Sequence, residues 1–347
     1  MPAVGFLSAL CALAGTAAAH LNAAEIHDGS LGDAHIRYIG RWDRSDPAIF
    51  RSYWSTAYLR VAFTGTTLRA RCDGEVEALV DGAPVACVRG PGTVNLTPVP
   101  LPAGTHSALL VAGGQNIELA FKGLMLDPGA TTLDSPQRPL IEFVGDSITA
   151  NGGRVNISPG SASGPAMSNY SGLAAEAVGC DHVQVAFSGV ALATGYGFFG
   201  DKTGFDAWYF RLKNCNHAAD NRPWDFSYTP QLVVVNLGTN DMKDGKRPDD
   251  AAYAITYATF LRAIRARLPH AKLVGMRPFG GFVAGGVARA VADMTAAGEA
   301  GVHFVDTTGW LEAGDYSDGI HPTVTGHAMA GARLAAALKP LLPAPTH

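Results

Sequence analysis

From about residue 24 to residue 133, hydrophobic and polar positions alternate in short runs rich in β-branched and aromatic side chains. Runs such as His35-Ile36-Arg37-Tyr38-Ile39, Tyr58-Leu59-Arg60-Val61-Ala62-Phe63 and Ile117-Glu118-Leu119-Ala120-Phe121 put every second side chain on one face, the period of a half-buried strand. Asp81-Gly82, set between Glu77-Ala78-Leu79-Val80 and Val85, is a hairpin signal. Gly92, Gly104 and Gly113-Gly114 punctuate further turns. Many short strands at this spacing predict an all-β, jelly-roll-like sandwich, assigned here to residues 20–134.

Pro136-Gln137-Arg138-Pro139 reads as a linker, and the texture changes after it. Apolar runs at Leu140–Val144, His182–Phe187, Leu232–Leu237, Lys272–Met276 and Val302–Val305 alternate with Ala-rich helical stretches. The clearest of these stretches are Asp250–Leu268 and Val324–Leu338. Continuous apolar strands separated by helices predict a five-stranded parallel sheet covered on both faces. That second domain is assigned to residues 135–347. Chemistry in such a sheet gathers at the carboxyl ends of the strands.

Composition narrows the class. Hydrophobic residues make up 47% of the 347-residue chain and charged residues 16%, as in a globular protein. A net charge of −4 without a basic run argues against nucleic acid as a partner. Residues 1–19 carry an apolar run from Val4 to Ala14 and end in small residues, the pattern of a cleaved secretory signal. The run is too short to span a bilayer, so a secreted, extracellular protein without a membrane anchor is expected. Cys72, Cys87, Cys180 and Cys215 then remain. Four cysteines allow three pairings, and the local one, Cys72 with Cys87 and Cys180 with Cys215, is preferred. Asn95, Asn156 and Asn169 head glycosylation sequons. No Cys or His spacing suggests a metal, so neither metal nor cofactor is expected, and a monomer is.

The strand ends carry the candidate chemistry. The first closes in Gly145-Asp146-Ser147, the second in Phe187-Ser188-Gly189 and the third in Gly238-Thr239-Asn240-Asp241. Asp318-Gly319-Ile320-His321-Pro322 follows the fifth strand, just before the last helix. A serine hydroxyl needs an adjacent base to attack a carbonyl, and the base needs a partner on its other ring nitrogen. Ser147, His321 and Asp318 are candidates for those three roles. Backbone N–H groups of Ser147 and Gly189 and the Asn240 amide are candidate oxyanion donors.

These blocks, in this order, resemble the SGNH (GDSL-type) hydrolase superfamily, whose markers are Ser, Gly, Asn and His. The resemblance covers residues 139 to 343 and implies an α/β/α three-layer domain. With a β-sandwich in front, Tyr38-Ile39-Gly40-Arg41 near its start and Gly145-Asp146-Ser147-Ile148-Thr149 after the linker, the chain looks most like carbohydrate esterase family 2. That resemblance implies metal-free removal of acetyl groups from plant cell-wall polysaccharides of the xylan and mannan type, so an acetylated oligo- or polysaccharide is the expected partner. Some members of that family orient the histidine with a backbone carbonyl, which leaves the role of Asp318 open. Ala150-Asn151-Gly152-Gly153 departs from the Cys-Gly or Gly-rich stretch that often follows the Thr. A general short-chain carboxylesterase and a non-catalytic sugar-binding protein are the alternatives.

The long connection from Tyr196 to Tyr228 is crowded with aromatic residues. It reads either as a sugar-stacking wall, with Trp208 and Trp224 as platforms, or as a small hydrophobic cluster.

Overall fold

The structure, a computed structural model, describes residues 27–113, 115, 118–150, 167–197, 204–242 and 244–343, with the side chains of 86–89 outside that set. The expected signal at 1–19 and the sequon at Asn156 therefore lie outside the described residues. Described strands of the N-terminal part are β1 (Arg37–Ile39), β2 (Trp42–Asp46), β3 (Ile49–Ser52), β4 (Tyr58–Gly65), β5 (Leu68–Asp73), β6 (Glu75–Val80), β7 (Ala83–Arg89), β8 (Gly92–Asn95), β9 (Gly104–Ala112), β10 (Leu119–Leu126) and β11 (Thr132–Leu133). They form two antiparallel sheets, β1-β4-β9-β6-β7 with β11 on β4, and β2-β3-β10-β5-β8. The alternation read from the sequence fills the space between the sheets with Leu59, Val61, Phe63, Leu68, Leu110 and Phe121, all buried. Each such side chain contributes about 1.5–3 kcal/mol of burial. Asp81 and Gly82 make the expected hairpin between β6 and β7.

The second part alternates β12 (Leu140–Gly145), α1 (Tyr170–Ala177), β13 (Asp181–Ala186), α2 (Phe205–Tyr209), β14 (Leu232–Asn236), α3 (Asp250–Arg267), β15 (Lys272–Met276), α4 (Ala284–Ala296), β16 (Val302–Val305) and α5 (Val324–Leu338). Its five strands are parallel in the order β13-β12-β14-β15-β16. α1 and α5 pack together over one face, where Tyr170, Ala174, Ala330 and Leu334 are buried. α3 and α4 pack over the other, burying Tyr253, Tyr257, Val287 and Met294. This is the expected three-layer arrangement. The chain reverses direction across the sheet after β12, because β13 lies on one side of it and β14 on the other. Such a switch point opens a crevice at the carboxyl ends.

Two sets of sequence expectations are corrected. Cys72, Cys180 and Cys215 are free thiols. Cys180 packs with the α1/α5 layer while Cys215 packs against the core of the opposite layer, so the sheet stands between them. Cys72 points into the sandwich core from β5, and Cys87 belongs to β7 of the other sheet. The second correction concerns Asn169, which is not available to a glycan. It is 1% exposed and caps α1, accepting from the Gly172 N–H at 3.0 Å. Its amide also donates to Thr149 O at 2.7 Å. Asn95, by contrast, is exposed on β8.

The two parts are joined through a buried charge. Arg41, fully buried after β1, lies 3.9 Å from the carboxylate of Glu142, itself fully buried on β12. The Tyr209 and Tyr228 hydroxyls donate to Glu142, and Arg41 donates to the Tyr209 and Arg211 carbonyls. Trp54, Tyr209, Trp224 and Phe226 surround the guanidinium at 4.9–5.8 Å from their ring centres.

Candidate active site

β12 ends in a turn that has room for no side chain at Gly145. A Cβ there would collide with Thr149 and come within 3.1 Å of the Asn236 carbonyl on β14. The turn is locked from within, since the Thr149 and Ala150 N–H groups both donate to Asp146 O, at 3.1 and 2.7 Å. It is also locked from below. Thr149 Oγ1 bonds the Tyr170 hydroxyl at 2.7 Å, and Asn169 holds the Thr149 carbonyl. Ser147 is thereby held at the mouth of the sheet, half-buried.

His321 reaches Ser147 from the loop before α5, with Nε2 2.8 Å from Ser147 Oγ. Its Nδ1 is 2.7 Å from Asp318 Oδ2. The other carboxylate oxygen of Asp318 accepts from the Ile320 and His321 N–H groups at 3.0 and 2.8 Å. One carboxylate thus shapes the loop and holds the ring. The loop is pinched by a bridge between Tyr316 and Pro322, and Ser317 N–H donates to His321 O at 2.9 Å. Thr323 closes it by capping α5 through the Gly326 N–H.

The third wall is the exit of β13. Gly189 has φ +78°, a left-handed conformation that glycine adopts without strain. Asn240 Nδ2 donates to Val190 O at 3.1 Å, tying the end of β14 to this turn. Asp241 accepts from the Leu192 and Ala193 N–H groups at 3.2 and 2.7 Å. Among the described residues, neither the Ser147 nor the Gly189 N–H has an acceptor. The Asn240 amide keeps a second N–H beyond the one bonded to Val190.

Two carboxyls beneath the site are raised above the ordinary carboxylate range. Burial pushes Asp146 up to about 6, against the pull of the Ile148 N–H. Burial likewise pushes Asp241 up to about 6, against the Ala193 and Leu192 N–H groups. Burial of an ionised carboxylate is unfavourable unless enough donors face it.

The two tryptophans read as platforms lie in different surroundings. Trp224 is buried against Arg41 and lines an interdomain cavity of about 420 Å³ with Tyr38, Trp42, Arg44 and Tyr228. Trp208, half-buried on α2, packs on the core of the parallel-sheet domain. Gln115 is a site neighbour that sequence reasoning missed: it bonds Ser188 from the sandwich. No motif marks it.

Comparison with known proteins agrees with this geometry. Residues 143–329 match the GDSL-like Lipase/Acylhydrolase family, and residues 38–136 match the Carbohydrate esterase 2 N-terminal model. The chain is 28% identical over 328 residues to the cellulase/esterase CelE of Acetivibrio thermocellus, covering 88% of this chain but 39% of that protein. It is 26% identical to an acetylxylan esterase / glucomannan deacetylase of Cellvibrio japonicus, covering 73% of this chain and 76% of that one. A family two carbohydrate esterase from Clostridium thermocellum, solved in complex with cellohexaose, superimposes with a TM-score of 0.74 at 27% identity. That match covers 88% of this chain and 98% of the other. With the Ser147 turn, the His321 loop and the sandwich in front of them, the chain belongs to the GDSL-like lipase/acylhydrolase family of carboxylic ester hydrolases, in the two-domain form of family 2 carbohydrate esterases.

Proposed function

We propose that this chain is a secreted serine esterase that removes O-acetyl groups from plant cell-wall polysaccharides of the xylan or mannan type. One observation carries the reading: an unbroken hydrogen-bond line from Asp318 through His321 to Ser147, with spacings of 2.7 and 2.8 Å. The named relatives that act on acetylated xylan and glucomannan support the choice of substrate.

Ser147 Oγ attacks the acetyl carbonyl carbon while His321 Nε2 takes the hydroxyl proton. The carbonyl oxygen becomes an oxyanion, which the N–H groups of Ser147 and Gly189 and the Asn240 amide receive. One such donor is worth about 3 kcal/mol in the transition state. The tetrahedral intermediate collapses, the bond to the sugar oxygen breaks, and His321 returns its proton to that oxygen. Water then attacks acetyl-Ser147 and gives a proton to His321; the second tetrahedral intermediate collapses, the bond to Ser147 Oγ breaks, His321 returns the proton to Oγ, and acetate leaves. Asp318 holds the imidazole in the tautomer that presents Nε2 to the serine.

The test is a panel of acetylated xylan, acetylated glucomannan and 4-nitrophenyl esters of increasing acyl length, run with the wild-type chain and Ser147→Ala. Acetate release from the polysaccharides that disappears in Ser147→Ala is the expected result. Equal rates on octanoyl and acetyl esters would replace this reading with that of a general carboxylesterase.

A further inference from the structure

The β13 exit turn that carries Gly189 is gripped from two directions. From inside the parallel-sheet domain, Asn240 and Asp241 hold its far side at Val190, Leu192 and Ala193. Its near side is held from the other domain. Gln115, in the loop between β9 and β10 of the sandwich, accepts from the Ser188 N–H at 3.0 Å and donates to Ser188 Oγ at 2.8 Å. Both ends of one side-chain amide are therefore used on the residue immediately before Gly189.

This contact is itself anchored. Asn214, fully buried in the segment before β14, donates to the Gln115 carbonyl at 2.9 Å and to the Tyr53 carbonyl. The Gln115 backbone is thus fixed to the domain whose turn its side chain holds. A paired contact, one bond to the Ser188 N–H and one to its hydroxyl, fixes orientation as well as distance, because two bonds must be satisfied at once. Rotation of Ser188 about its N–Cα bond would break one of them, so Ser188 Cα and the direction in which its carbonyl carbon leaves are held, while Val190 is held from the other side.

We infer that Gln115 is a positioning residue: the sandwich domain, through its paired bonds, fixes the chain at Ser188, the residue whose carbonyl carbon carries the Gly189 N–H, and so keeps that donor in place for the transition-state oxyanion. The inference rests on the esterase reading above. It gives the N-terminal domain a part in turnover that does not depend on its binding polysaccharide. An oxyanion donor acts on the transition state more than on the bound ester, so its misalignment lowers kcat and leaves KM nearly unchanged.

The experiment compares wild type, Gln115→Leu, Gln115→Glu and Ser147→Ala in the full chain, with 4-nitrophenyl acetate kinetics and thermal melting. Leu keeps the approximate shape and removes both bonds. Glu keeps two acceptors, one for the Ser188 N–H and one for the Ser188 hydroxyl, which turns to donate. Gln115→Leu is expected to lose about 10- to 100-fold in kcat, with KM within about twofold and a melting temperature close to wild type. Gln115→Glu is expected to recover most of kcat. Arg222→Ala, which breaks the exposed interdomain pair with Asp43 (2.7 Å), is expected to leave kcat unchanged.

A Gln115→Leu variant with wild-type kcat overturns the inference while leaving the esterase reading intact. A variant that loses kcat and melting temperature together, without recovery in Gln115→Glu, makes Gln115 a structural residue only and also overturns it. A wild-type chain that fails to turn over the ester overturns both.

Discussion

Asp318 is the least sheltered member of the hydrogen-bond line, with more than a third of its side chain open to water. Its 2.7 Å bond to His321 is short enough to fix the ring, but solvent screens its charge. Asp318→Asn is therefore expected to lower kcat by about 10²-fold, less than the ~10⁴ loss at a buried triad aspartate. Steady-state kinetics on 4-nitrophenyl acetate measure it, and near-normal turnover would hand the orienting role to a backbone carbonyl. Asp146 makes the opposite case, a carboxyl whose burial raises it to about 6 from 3.8. A carboxyl raised in the folded state is favourable when protonated, so its contribution falls as pH rises from about 4 through 6. Two units correspond to about 3 kcal/mol. Buried His182, lowered to about 4, works in the reverse direction, losing stability as pH falls from 6.5 to 4. A wild-type melting curve thus mixes the two, and a comparison separates them. Asp146→Asn retains an acceptor for the Ile148 N–H. Its stability relative to wild type is expected to be about 3 kcal/mol more favourable at pH 7.5 than at pH 4, read by urea denaturation at both values. A difference independent of pH would mean that folding leaves the Asp146 pKa where it is in the unfolded chain.

At the scale of elements, legibility in the sequence followed continuous apolar runs for the strands and periodicity for the long helices, and failed for a short helix without a stripe. Lys272–Met276, Val302–Val305 and Val324–Leu338 fall where their apolar pattern puts them, and α3 starts at the capping Asp249. α4 buries Val287, Ala290, Val291 and Met294, a regular helical stripe that the sequence displays between two clear strands. α1 shows no such stripe. Its eight residues are short and small, and most are buried between the Ser147 turn and α5, so no polar face alternates with an apolar one. The signal that marks it is Asn169, whose Asn-Tyr-Ser triplet reads equally as a helix cap and as a sequon. Expression in a glycosylating host is accordingly expected to leave Asn169 unmodified, with any glycan among the described sequons at Asn95, by peptide mass spectrometry. Asn169→Ala removes a cap worth about 1 kcal/mol and strips partners from the buried Gln184 amide and Thr149 carbonyl. A total loss of about 2–4 kcal/mol is expected in denaturant unfolding.

For the whole molecule, the sequence marked the sandwich, the parallel-sheet part and the four motif blocks at the strand ends, but not what joins the two parts. Ser147, His321, Gly189 and Asn240 stood out because each lies at the end of a strand or before a helix, where a motif survives in local sequence. Arg41 and Glu142 carry no local pattern beyond a charge set in an apolar run, and only the fold brings them together. Glu142 is the interior residue of β12 that breaks its apolar character, five positions before Ser147. Its carboxylate is met by two phenols whose pKa values are raised well above the ordinary tyrosine range, by burial and then by the Glu142 charge. Removing Arg41 would leave that carboxylate buried without its cation. Arg41→Met is expected to destabilise the chain by about 3–5 kcal/mol, the range for breaking one side of a buried pair. Glu142→Gln alone is expected to cost less, because Arg41 keeps the Tyr209 and Arg211 carbonyls and its aromatic surround. Coupling between the two sites follows: the double variant should lose less than the sum of the single losses, by about 0.5–3 kcal/mol. Urea unfolding followed separately by sandwich and parallel-sheet probes decides it. Coincident transitions in wild type that separate in Arg41→Met would show that this pair makes the two domains unfold as one. Additive losses with coincident transitions throughout would assign that role to the rest of the interface.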